Sequence, residues 1–560
     1  MADLEPHLVE PMYDLAVRPW TNMYPPEVPG SYVARVRNGV EMFQIGLDER
    51  PDGPAMHFFD QTMTHRQAGD YAHSVAAGLA DLGVKPGDRV GLYLQNDPQF
   101  VISLHAIWLL GAIGVMHNPM LKARELKYQL DDAGVTVLIC LESLYETALE
   151  AIGGTQTSHL IVTSEFTFAG ENPAPILGKK IALDLGEALS LEKMFADYLG
   201  KQVEPYSADP AEVALLCFTS GTTGPAKAAM ITHQNVAYGE IYLQEGRVGR
   251  DDIVMAGAPM FHVTGITGHI AAARLNAAPM VMFHRFDPGE YLRWLEHWRG
   301  TFSILALTAY IAIINHPDLP IRDISSLTKV FTGGAPVSPA MIARFEEVTG
   351  KYMHNTYGMT ETSSPTHMVP YGMRAPIDPI TGALAVGLPA SNVYSAIADL
   401  ETGALLGPGE IGEIISMGPD VVPGYWNKPA ESAHALRGGV MHTGDVATRD
   451  ADGWFFLIDR AKDLIIVSGY KVWPRDVEDV LYEHPAVLEA AVIGVPDDYR
   501  GETVKAFVSL RPGYESTTVE ELLSHCKELL SAYKYPRLLE IVPEIPKTAT
   551  GKILRRELRA

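Results

Sequence analysis

Nine consecutive residues combine hydroxyl groups, glycines and a final lysine, a composition suited to holding phosphate groups. These residues, the phosphate loop, are Thr219, Ser220, Gly221, Thr222, Thr223, Gly224, Pro225, Ala226 and Lys227. Glycines let the backbone turn its N–H groups toward phosphate oxygens, while hydroxyls donate hydrogen bonds or face a metal ion. The lysine adds a point charge. The pattern predicts a polyphosphate-binding loop, against the alternative of a surface turn.

Later motifs could complete a nucleotide site. In residues 357–361 (Tyr-Gly-Met-Thr-Glu), the ring can stack on a base, and a glutamate beside phosphates requires a divalent cation. Residues 442–445 (His-Thr-Gly-Asp) place a carboxylate, a natural partner of ribose hydroxyls, after a tight turn. Near the end of the chain, Lys552 could deliver a charge to an active site. Taken singly, the aspartate motif is also a common turn, and the lysine segment is typical of a basic tail.

The residues between these motifs predict strands and helices that alternate along the chain. Residues 89–94 and 327–332 are apolar runs beside turn residues, typical of buried strands. Thr64 begins a predicted helix with a capping box, and Ser338 caps another that ends near Gly350. A strand, a tight glycine turn and a capped helix place ligands at the carboxyl ends of strands in α/β folds.

A change of composition indicates a large domain followed by a small one. From about residue 392 to 460, glycines and prolines are dense and strands short, which predicts a small β-barrel-like subdomain. Further on, a helix that starts at Pro474 precedes an apolar strand. We therefore predict an α/β fold. A large N-terminal domain of layered α/β subdomains spans residues 1–460, and a small α+β C-terminal domain spans residues 461–560.

Length, charge and cysteine content exclude several classes of protein. At 560 residues, with 47% hydrophobic and 20% charged residues, the chain is expected to form several ordinary globular domains. A net charge of -24 argues against a nucleic-acid partner, which usually meets a basic surface. The 3 cysteines form no close pair, so no disulfide framework or zinc site is expected, and a reducing cytoplasm fits.

No segment has the pattern of a signal sequence or a membrane span. The N-terminus starts acidic and lacks an apolar signal core. The most apolar run, residues 101–116, contains polar residues and is short for a span, so we expect a buried helix followed by a buried strand. An integral membrane segment is not expected. The oligomeric state stays open, a homodimer included.

Taken together, the motifs carry a family resemblance. The phosphate loop, residues 357–361, residues 442–445, Asp459-Arg460 and Lys552 occur in an order and spacing that strongly resemble the acyl-adenylate-forming superfamily. This superfamily includes acyl-CoA synthetases, amino-acid adenylation domains and firefly-type luciferases. The resemblance begins near the predicted helix at Thr64 and covers almost the whole chain. The sequence looks most similar to medium- and long-chain fatty acyl-CoA ligases.

The resemblance implies ATP-dependent ligation of a carboxylic acid, expected to be a fatty acid, to coenzyme A. In such enzymes the acid reacts with ATP in the presence of Mg²⁺ to give acyl-AMP and pyrophosphate, and the thiol of coenzyme A then displaces AMP. The large domain would bind ATP and the acid. The small domain would be mobile and rotate about Lys462 between the half-reactions, and Gly469 would lie beside the channel for coenzyme A.

The resemblance also assigns roles to single residues. Glu361 and Thr222 would bind Mg²⁺, Lys227 would contact phosphates, and Lys552 would stabilise charge as the adenylate forms. The implied ATP-binding residues are Thr219, Ser220, Gly221, Thr222, Thr223, Gly224, Lys227, Gly334, Ala335, Pro336, Asn355, Tyr357, Gly358, Thr360, Asp445 and Arg460. The implied acyl pocket contains His262, Gly265, Gly333 and Met359.

Departures from the family pattern bear on substrate and kinetics. Amino-acid-activating relatives usually carry aspartate where this chain has His262, so a largely apolar acid is expected. The family loop usually ends Gly-x-Pro-Lys-Gly, whereas here Pro225 comes one residue earlier and Ala228 replaces the last glycine. Because Pro225 restricts its own backbone and that of the residue before it, we expect ATP affinity or pyrophosphate release to differ.

Other enzyme classes fit the sequence less well. A Walker loop requires a glycine next to its lysine, whereas Gly224 and Lys227 are not adjacent, and no Gly-x-Ser-x-Gly hydrolase elbow is present. A free-standing adenylation enzyme that loads acyl groups onto a carrier protein stays an open alternative. The identity and chain length of the acid stay open as well.

Overall fold

Two large β-sheets and one small β-sheet, flanked by helices, form the framework of the protein. The computed structural model describes residues 18–171, 174–180, 183–219, 225–460, 463–468, 470–497, 499–548 and 553–559.

The first two-thirds of the chain alternates strands with helices. Its strands are β1 (Pro54–Phe58), β2 (Gln61–Thr64), β3 (Arg89–Tyr93), β4 (Ile113–Met116), β5 (Val137–Leu141), β6 (His159–Thr163), β7 (Leu189–Ser190), β8 (Val213–Phe218), β9 (Ala228–Thr232), β10 (Val254–Met255), β11 (Met280–Met282), β12 (Phe302–Ala306), β13 (Lys329–Gly333), β14 (Met353–Tyr357) and β15 (His367–Met368). Its helices are α1 (Gly39–Glu49), α2 (His65–Asp81), α3 (Pro98–Leu109), α4 (Ala123–Ala133), α5 (Tyr145–Ile152), α6 (Leu191–Asp197), α7 (His233–Ala237), α8 (Ile241–Gln244), α9 (Val263–Gly265), α10 (Ala272–Arg274), α11 (Pro288–Trp298), α12 (Leu307–Ile314) and α13 (Pro339–Thr349). A π-helical stretch, Ile266–Ala271, joins α9 to α10.

The first large sheet positions the phosphate loop. Its order is β7-β6-β5-β3-β4-β8-β9, and its strands are parallel except for β9, which runs antiparallel to β8. Every residue of β5 is buried, as expected for a parallel strand covered on both faces. The phosphate loop connects β8 to β9, so both of its ends are held by one antiparallel pair of strands.

The second large sheet changes from parallel to antiparallel pairing along its width. It continues through β16 (Ala385–Pro389), β17 (Tyr394–Ala398), β18 (Gly412–Met417), β19 (Leu436–Arg437), β20 (Val440–Arg449) and β21 (Phe455–Arg460), with helix α14 (Pro429–Ala435). From one edge the order is β2-β1-β11-β10-β12-β13-β14-β15-β16-β21-β20-β18-β17. Strands β1 and β10 to β14 pair in parallel, and pairing from β14 onward is antiparallel. The predicted α/β class is confirmed, and the β-rich part is an open run of strands among the described residues.

The last part of the chain forms a separate small sheet with its own core. Its elements are β22 (Ile465–Val467), β23 (Tyr470–Val472), α15 (Pro474–Glu483), β24 (Val487–Asp497), β25 (Gly501–Leu510), α16 (Val519–Leu529), β26 (Leu538–Ile541) and α17 (Arg555–Leu558). The strand order is β23-β22-β25-β24, with β26 beside β25. Val477 and Leu481 of α15 and Leu522 of α16 are buried in this core. The domain boundary near residue 460 stays a prediction.

Several elements have the bounds and caps that the sequence predicts. The side chain of Thr64 accepts from the backbone N–H of Gln67 and completes a capping box at α2. The side chain of Ser338 accepts from the backbone N–H of Met341 and caps α13, and Gly350 at the end of α13 is in the left-handed conformation. The apolar run 101–116 forms the buried helix α3 and the buried strand β4. Among the described residues, no helix has both the length and the apolar character required to cross a membrane.

Two arginines connect the small sheet to the rest of the protein. Arg475, at the start of α15, is buried, and its guanidinium donates to the carbonyl oxygens of Leu457 (2.6 Å) and Val337 (3.1 Å). Its backbone N–H donates to a carboxylate oxygen of Asp459 (3.0 Å). Arg555 pairs with Glu478 at 2.8 Å and approaches Asp459 at 3.7 Å. These contacts fix how the small sheet lies against β21.

Gly387 is expected to be essential for the pairing of β15 with β16. Its φ is +128°, and a Cβ there would lie 2.4 Å from the backbone carbon of Met368. We predict that Gly387→Ala lowers the thermal midpoint by several degrees because the two backbones must separate.

Gly382→Ala is the matched control for this prediction. Gly382 also has a positive φ, +73°, but no atom lies within 4 Å of its Cβ position. Only the left-handed conformation is then penalised, by about 1–2 kcal/mol. Differential scanning fluorimetry of both variants measures the difference, and equal losses would contradict the steric argument.

Candidate active site

Two of the predicted site glycines lie where parallel strands of the second sheet end. Gly333 is the last residue of β13, and Gly358 follows β14. A Cβ at Gly333 would lie 2.4 Å from the Thr356 hydroxyl oxygen, and one at Gly358 would lie 2.9 Å from Cα of Pro365. Both positions therefore require glycine because neighbouring chain segments approach closely.

The base of the phosphate loop is described at both ends. The backbone N–H of Thr219 donates to the carbonyl oxygen of Lys227 (2.8 Å), which closes the β8–β9 connection. Ala228, at the position where the family usually has glycine, is buried in β9 opposite Phe218. The carbonyl oxygen of Ala226 accepts from the hydroxyl of Tyr128 (3.1 Å). Residues 220–224 lie outside the described residues.

A buried tyrosine connects the phosphate loop to the predicted metal ligand. The hydroxyl of Tyr425 donates to Oε1 of Glu361 at 2.6 Å. The Lys227 ammonium lies 4.6 Å from the centroid of the Tyr425 ring, a cation–π distance. Burial raises the pKa of Tyr425 far above its usual value, and the negative charge of Glu361 raises it further. The hydroxyl therefore keeps its proton and stays a hydrogen-bond donor. Glu361 is only 8% exposed, and this contact fixes its carboxylate beside the loop.

Tyr425 belongs to a segment that forms the wall behind Glu361, the 419–426 segment. The backbone N–H of Val422 donates to the carbonyl oxygen of Glu361 (3.0 Å), and that of Trp426 donates to Ala228 (2.8 Å). The side-chain amide of Asn235 donates to the carbonyl oxygens of Pro419 and Val421. Sequence reasoning missed Tyr425, because no pattern in the surrounding turn residues indicates that its ring reaches the loop.

Mg²⁺ prefers oxygen ligands and is usually bound by only one or two protein carboxylates, with waters and substrate phosphates as its other ligands. Glu361 supplies such an oxygen at the loop, since Tyr425 occupies only Oε1. The residues present therefore fit the predicted ion. Thr222, the second predicted ligand, lies outside the described residues.

The predicted base- and ribose-binding residues form a second buried contact. The hydroxyl of Tyr357 donates to Oδ2 of Asp445 at 2.7 Å, and both side chains are buried. Asp445 stands opposite Arg460 in the β20–β21 pair. The amide nitrogen of Asn355 donates to the carbonyl oxygen of Ala385 (3.1 Å), which fixes the orientation of the amide. The structure thus brings Tyr357 and Asp445, predicted from separate motifs, to one place.

The tight turn predicted at residues 442–445 is wrong, because these residues lie within strand β20, where its pairing with β18 shifts register, and Glu413 holds this irregular part of the strand. One Glu413 oxygen accepts from the backbone N–H of Gly444 (2.8 Å), and the other lies 2.8 Å from Nδ1 of His442. Burial acts to raise the pKa of Glu413, but the hydrogen bonds from His442 and Gly444 lower it overall. This irregular part of β20 is thereby bound to β18, and Gly444 within it adopts a φ of +72°.

Of the four predicted acyl-pocket residues, His262 and Gly265 lie at a helix start linked to Ser364, Gly333 ends β13, and Met359 precedes the 3₁₀ helix Thr360–Thr362. His262 caps α9, its Nδ1 accepting from the backbone N–H of Thr264 (3.2 Å). The hydroxyl of Thr264 lies 3.4 Å from that of Ser364, and the hydroxyl of Thr267 donates to the Ser364 carbonyl oxygen (2.9 Å). A Cβ at Gly265 would lie 2.3 Å from the carbonyl oxygen of Pro259, so this position also requires glycine.

Several predicted site residues lie outside the part of the chain that the structure describes. Lys462, Gly469 and Lys552 lie outside the described residues, as does the side chain of Arg460. Gly334 has a positive φ of +81° at the turn after β13, followed by Ala335 and Pro336. The roles assigned to all of these residues stay predictions.

Comparison with known proteins identifies the family. Residues 43–426 match the AMP-binding enzyme family, and residues 476–552 match the AMP-binding enzyme C-terminal domain. The chain therefore belongs to the AMP-binding enzyme family.

Individual relatives agree with this assignment. A long-chain-fatty-acid–CoA ligase of Bacillus subtilis (strain 168) is 36% identical over 554 residues, covering 97% of each chain. A feruloyl-CoA synthase of an Amycolatopsis species is 33% identical, covering 91% of this chain and 96% of the relative. Among solved structures, an anthranilate CoA ligase in complex with anthranoyl-AMP superposes with a TM-score of 0.84 at 28% identity, covering 95% of this chain and 97% of that chain.

Removing the Tyr425 hydroxyl is expected to impair the use of Mg²⁺ and ATP. Tyr425→Phe keeps the ring under Lys227 but leaves Glu361 without the donor at 2.6 Å. We predict about a tenfold loss in kcat/KM for ATP, because a hydrogen bond to a charged group contributes about 1.5–3 kcal/mol. Titration of Mg²⁺ at fixed ATP should show a raised requirement for the ion.

Tyr198→Phe is the control, since it removes a tyrosine–carboxylate hydrogen bond (to Asp81, 2.8 Å) at an exposed position. It should leave the kinetics unchanged. Unaltered Mg²⁺ dependence in Tyr425→Phe would refute the orienting role of Tyr425.

Asp420, in the 419–426 segment, is expected to make stability depend on pH. It is fully buried, and burial raises its pKa to about 7, above the usual value of about 3.9. The folded state thus holds a proton that the unfolded state releases. The contribution of this protonation to the free energy of unfolding is complete below the pKa of Asp420 in the unfolded state. It is lost as the pH rises through the pKa of Asp420 in the folded state.

Asp420→Asn removes this titration while keeping shape. We predict that the difference in thermal midpoint, Asp420→Asn minus the unmodified protein, becomes more positive from pH 5 to pH 8. Asp52→Asn, at an exposed carboxylate, should show no such increase. A constant difference between Asp420→Asn and the unmodified protein across this range would contradict the prediction.

Proposed function

We propose that the protein ligates a fatty acid to coenzyme A through an acyl-AMP intermediate, consuming ATP and releasing AMP and pyrophosphate. The observation that carries the proposal is the buried Glu361–Tyr425 contact beside Lys227, because it fixes a carboxylate where Mg²⁺ and phosphates would be held. Membership of the AMP-binding enzyme family supports the same reaction.

In the first half-reaction, an oxygen of the substrate carboxylate attacks the α-phosphorus of ATP, and the bond to the β-phosphate breaks. Lys227 and the backbone of the phosphate loop bind the β- and γ-phosphates, and Asp445 accepts hydrogen bonds from the ribose hydroxyls. When bound, Mg²⁺ supplies positive charge to the phosphates, and Glu361 holds it. Lys552 stabilises the negative charge that develops at the carboxylate and the α-phosphate.

In the second half-reaction, the thiolate of coenzyme A attacks the acyl carbon, and AMP leaves. This step requires the small domain to rotate about Lys462 so that Gly469 approaches the site. Rotation would break the hydrogen bonds from the Arg475 guanidinium to Leu457 and Val337. The contact of Arg555 with Asp459 also joins residues that precede and follow Lys462 in the chain, so rotation would break it as well.

The acid is proposed to be largely apolar and of long or medium chain. Position 262, at the start of α9, carries a histidine and therefore presents no carboxylate to the ammonium group of an amino acid. The His262 ring accepts a hydrogen bond from the backbone N–H of Thr264. Among the relatives, one is named for long-chain fatty acids and another for feruloyl-CoA, so aryl acids belong in the test. The 3 cysteines are free and buried, which supports a cytoplasmic location. Sizing of the purified protein would establish whether it is a homodimer.

A panel of acids tests this function. Acids from acetate to long-chain and aryl acids are assayed for AMP release with coenzyme A and, without it, for ATP–pyrophosphate exchange. We predict the highest kcat/KM for medium- or long-chain fatty acids and AMP release that depends on free coenzyme A. A product that stalls at the adenylate with coenzyme A present, but reaches a carrier-protein pantetheine, would establish the carrier-loading alternative instead.

Lys552→Ala provides the internal control for this panel. Loss of one preorganised charge contact typically lowers a rate by about 10²–10³-fold, so adenylate formation should fall by that factor. Transfer from preformed acyl-AMP to coenzyme A should persist. Lys527→Ala, in the last turn of α16, should be silent in both assays. No exchange on any acid by the unmodified protein would overturn the ligase proposal.

A further inference from the structure

A buried irregular segment leads into the predicted acyl pocket. Residues 256–260, the pocket segment, follow strand β10 and end two residues before His262 at the start of α9. Ala256, Ala258 and Met260 are buried, yet they lie outside the described strands and helices. Their main-chain polar groups therefore need hydrogen-bond partners other than those of regular secondary structure.

One asparagine from the first large sheet supplies most of these partners. Asn96 lies just after β3 and is only 4% exposed. Its Nδ2 donates to the carbonyl oxygens of Ala256 (3.0 Å) and Ala258 (2.8 Å). Its Oδ1 accepts from the backbone N–H of Met260 (2.8 Å). A side-chain amide carries both the donors and the acceptor that these three bonds require.

The backbone of Asn96 is itself fixed between the two large sheets. Its N–H donates to the carbonyl oxygen of His284 (2.7 Å), which follows β11 of the second large sheet. Nδ1 of His284 lies 2.9 Å from Oδ1 of the buried Asp97. The position of the Asn96 side chain is therefore set by contacts on both sides of its own backbone.

A buried histidine in the π-helical stretch Ile266–Ala271 holds the pocket segment from a second direction. Nε2 of His269 accepts from the backbone N–H of Ala258 (3.0 Å). Burial lowers the pKa of His269 to about 4, so the ring is neutral near pH 7 and Nε2 keeps the lone pair that accepts this bond. Single π-helical turns are rare and occur frequently at functional sites.

Close packing transmits the position of the pocket segment to the acyl pocket. The carbonyl oxygen of Pro259 accepts from the backbone N–H of His262 (3.1 Å), and a Cβ at Gly265 would lie 2.3 Å from the same oxygen. A Cβ at Gly257 would lie 2.7 Å from Cδ2 of Leu305. A shift of the segment would therefore displace His262 and the start of α9.

We propose that Asn96 and His269 are positioning residues for the acyl pocket. By holding the pocket segment, they fix the place of His262 and thereby set the affinity for the acid. The proposal rests on the proposed function and on the assignment of His262 to the acyl pocket. Loss of either contact leaves buried main-chain groups unpaired, so the segment rearranges and binds the acid less tightly.

Asn96→Asp tests this role at nearly constant shape. The carboxylate can still accept from Met260 but cannot donate to the carbonyl oxygens of Ala256 and Ala258. We predict a rise of about tenfold in KM for the best acid of the panel, because these buried carbonyl oxygens lose their donor, and an unchanged KM for ATP. A merely structural role would lower the folded fraction, and hence kcat, with both KM values unchanged, and that result would overturn the proposal.

Two substitutions of His269 provide a test that does not depend on the folding of Asn96→Asp. His269→Leu removes the acceptor for Ala258 and should raise KM for the acid by about fivefold. His269→Gln offers a side-chain oxygen near the place of Nε2 and should keep KM close to that of the unmodified protein. The same KM in His269→Leu and His269→Gln would reject the role of this hydrogen bond.

Asn38→Asp is the matched control. Asn38 is also buried, its Nδ2 donates to the carbonyl oxygen of Ala208 (3.1 Å), and its Oδ1 accepts from the backbone N–H of Glu41 (2.9 Å). Neither partner belongs to the pocket segment. The variant should lower the thermal midpoint and leave both KM values unchanged. An equal rise in KM for the acid in Asn38→Asp and Asn96→Asp would show a general effect of a buried carboxylate and overturn the proposal.

The unmodified protein separates failure of this proposal from failure of the proposed function. Absence of ATP–pyrophosphate exchange on every acid of the panel would overturn the proposed function, and the positioning role with it. Exchange by the unmodified protein, together with an unchanged KM for the acid in Asn96→Asp and His269→Leu, would overturn the positioning role alone.

Discussion

The hydrogen bond from Tyr425 to Glu361 is the contact on which the arrangement of the candidate site depends. A carboxylate that is 8% exposed beside a phosphate-binding loop needs a fixed orientation and a cation, because its burial is otherwise unfavourable. Tyr425 supplies the orientation and at the same time lies under Lys227. The pairing of the 419–426 segment with β9 brings these groups together, so the two large sheets are coupled at this point.

The change from parallel to antiparallel pairing at β14 explains why two of the proposed nucleotide-binding residues, Tyr357 and Asp445, come into contact. The parallel strands deliver Gly333 and Tyr357 to one edge, as strands of an α/β sheet do. Among the antiparallel strands that follow, β20 carries Asp445, whose carboxylate accepts a hydrogen bond from the hydroxyl of Tyr357. The proposed ribose partner, Asp445, and the proposed base partner, Tyr357, 88 positions apart in sequence, thus share one hydrogen bond.

Local features of the fold could be predicted from sequence, whereas long-range contacts could not. The capping box at Thr64, the cap at Ser338 and the buried run 101–116 depend on neighbouring residues, and the structure confirms all three. The role of Tyr425 depends on a partner 64 positions away. Likewise, dense glycines and prolines indicated short strands after residue 392 but not the open order in which they pair.

The attachment of Arg475 to the large domain has a consequence for how sequence change can alter the enzyme. Both acceptors of its guanidinium are main-chain carbonyl oxygens, at Leu457 and Val337. Substitution of the side chains at positions 457 and 337 leaves these carbonyl acceptors in place. The strength of the two hydrogen bonds therefore does not depend on which side chains stand at those positions. Only replacement of the arginine itself, or movement of the backbone, changes it. This part of the attachment therefore depends on the arginine at position 475 alone, whereas the contact of Arg555 with Asp459 depends on two side chains.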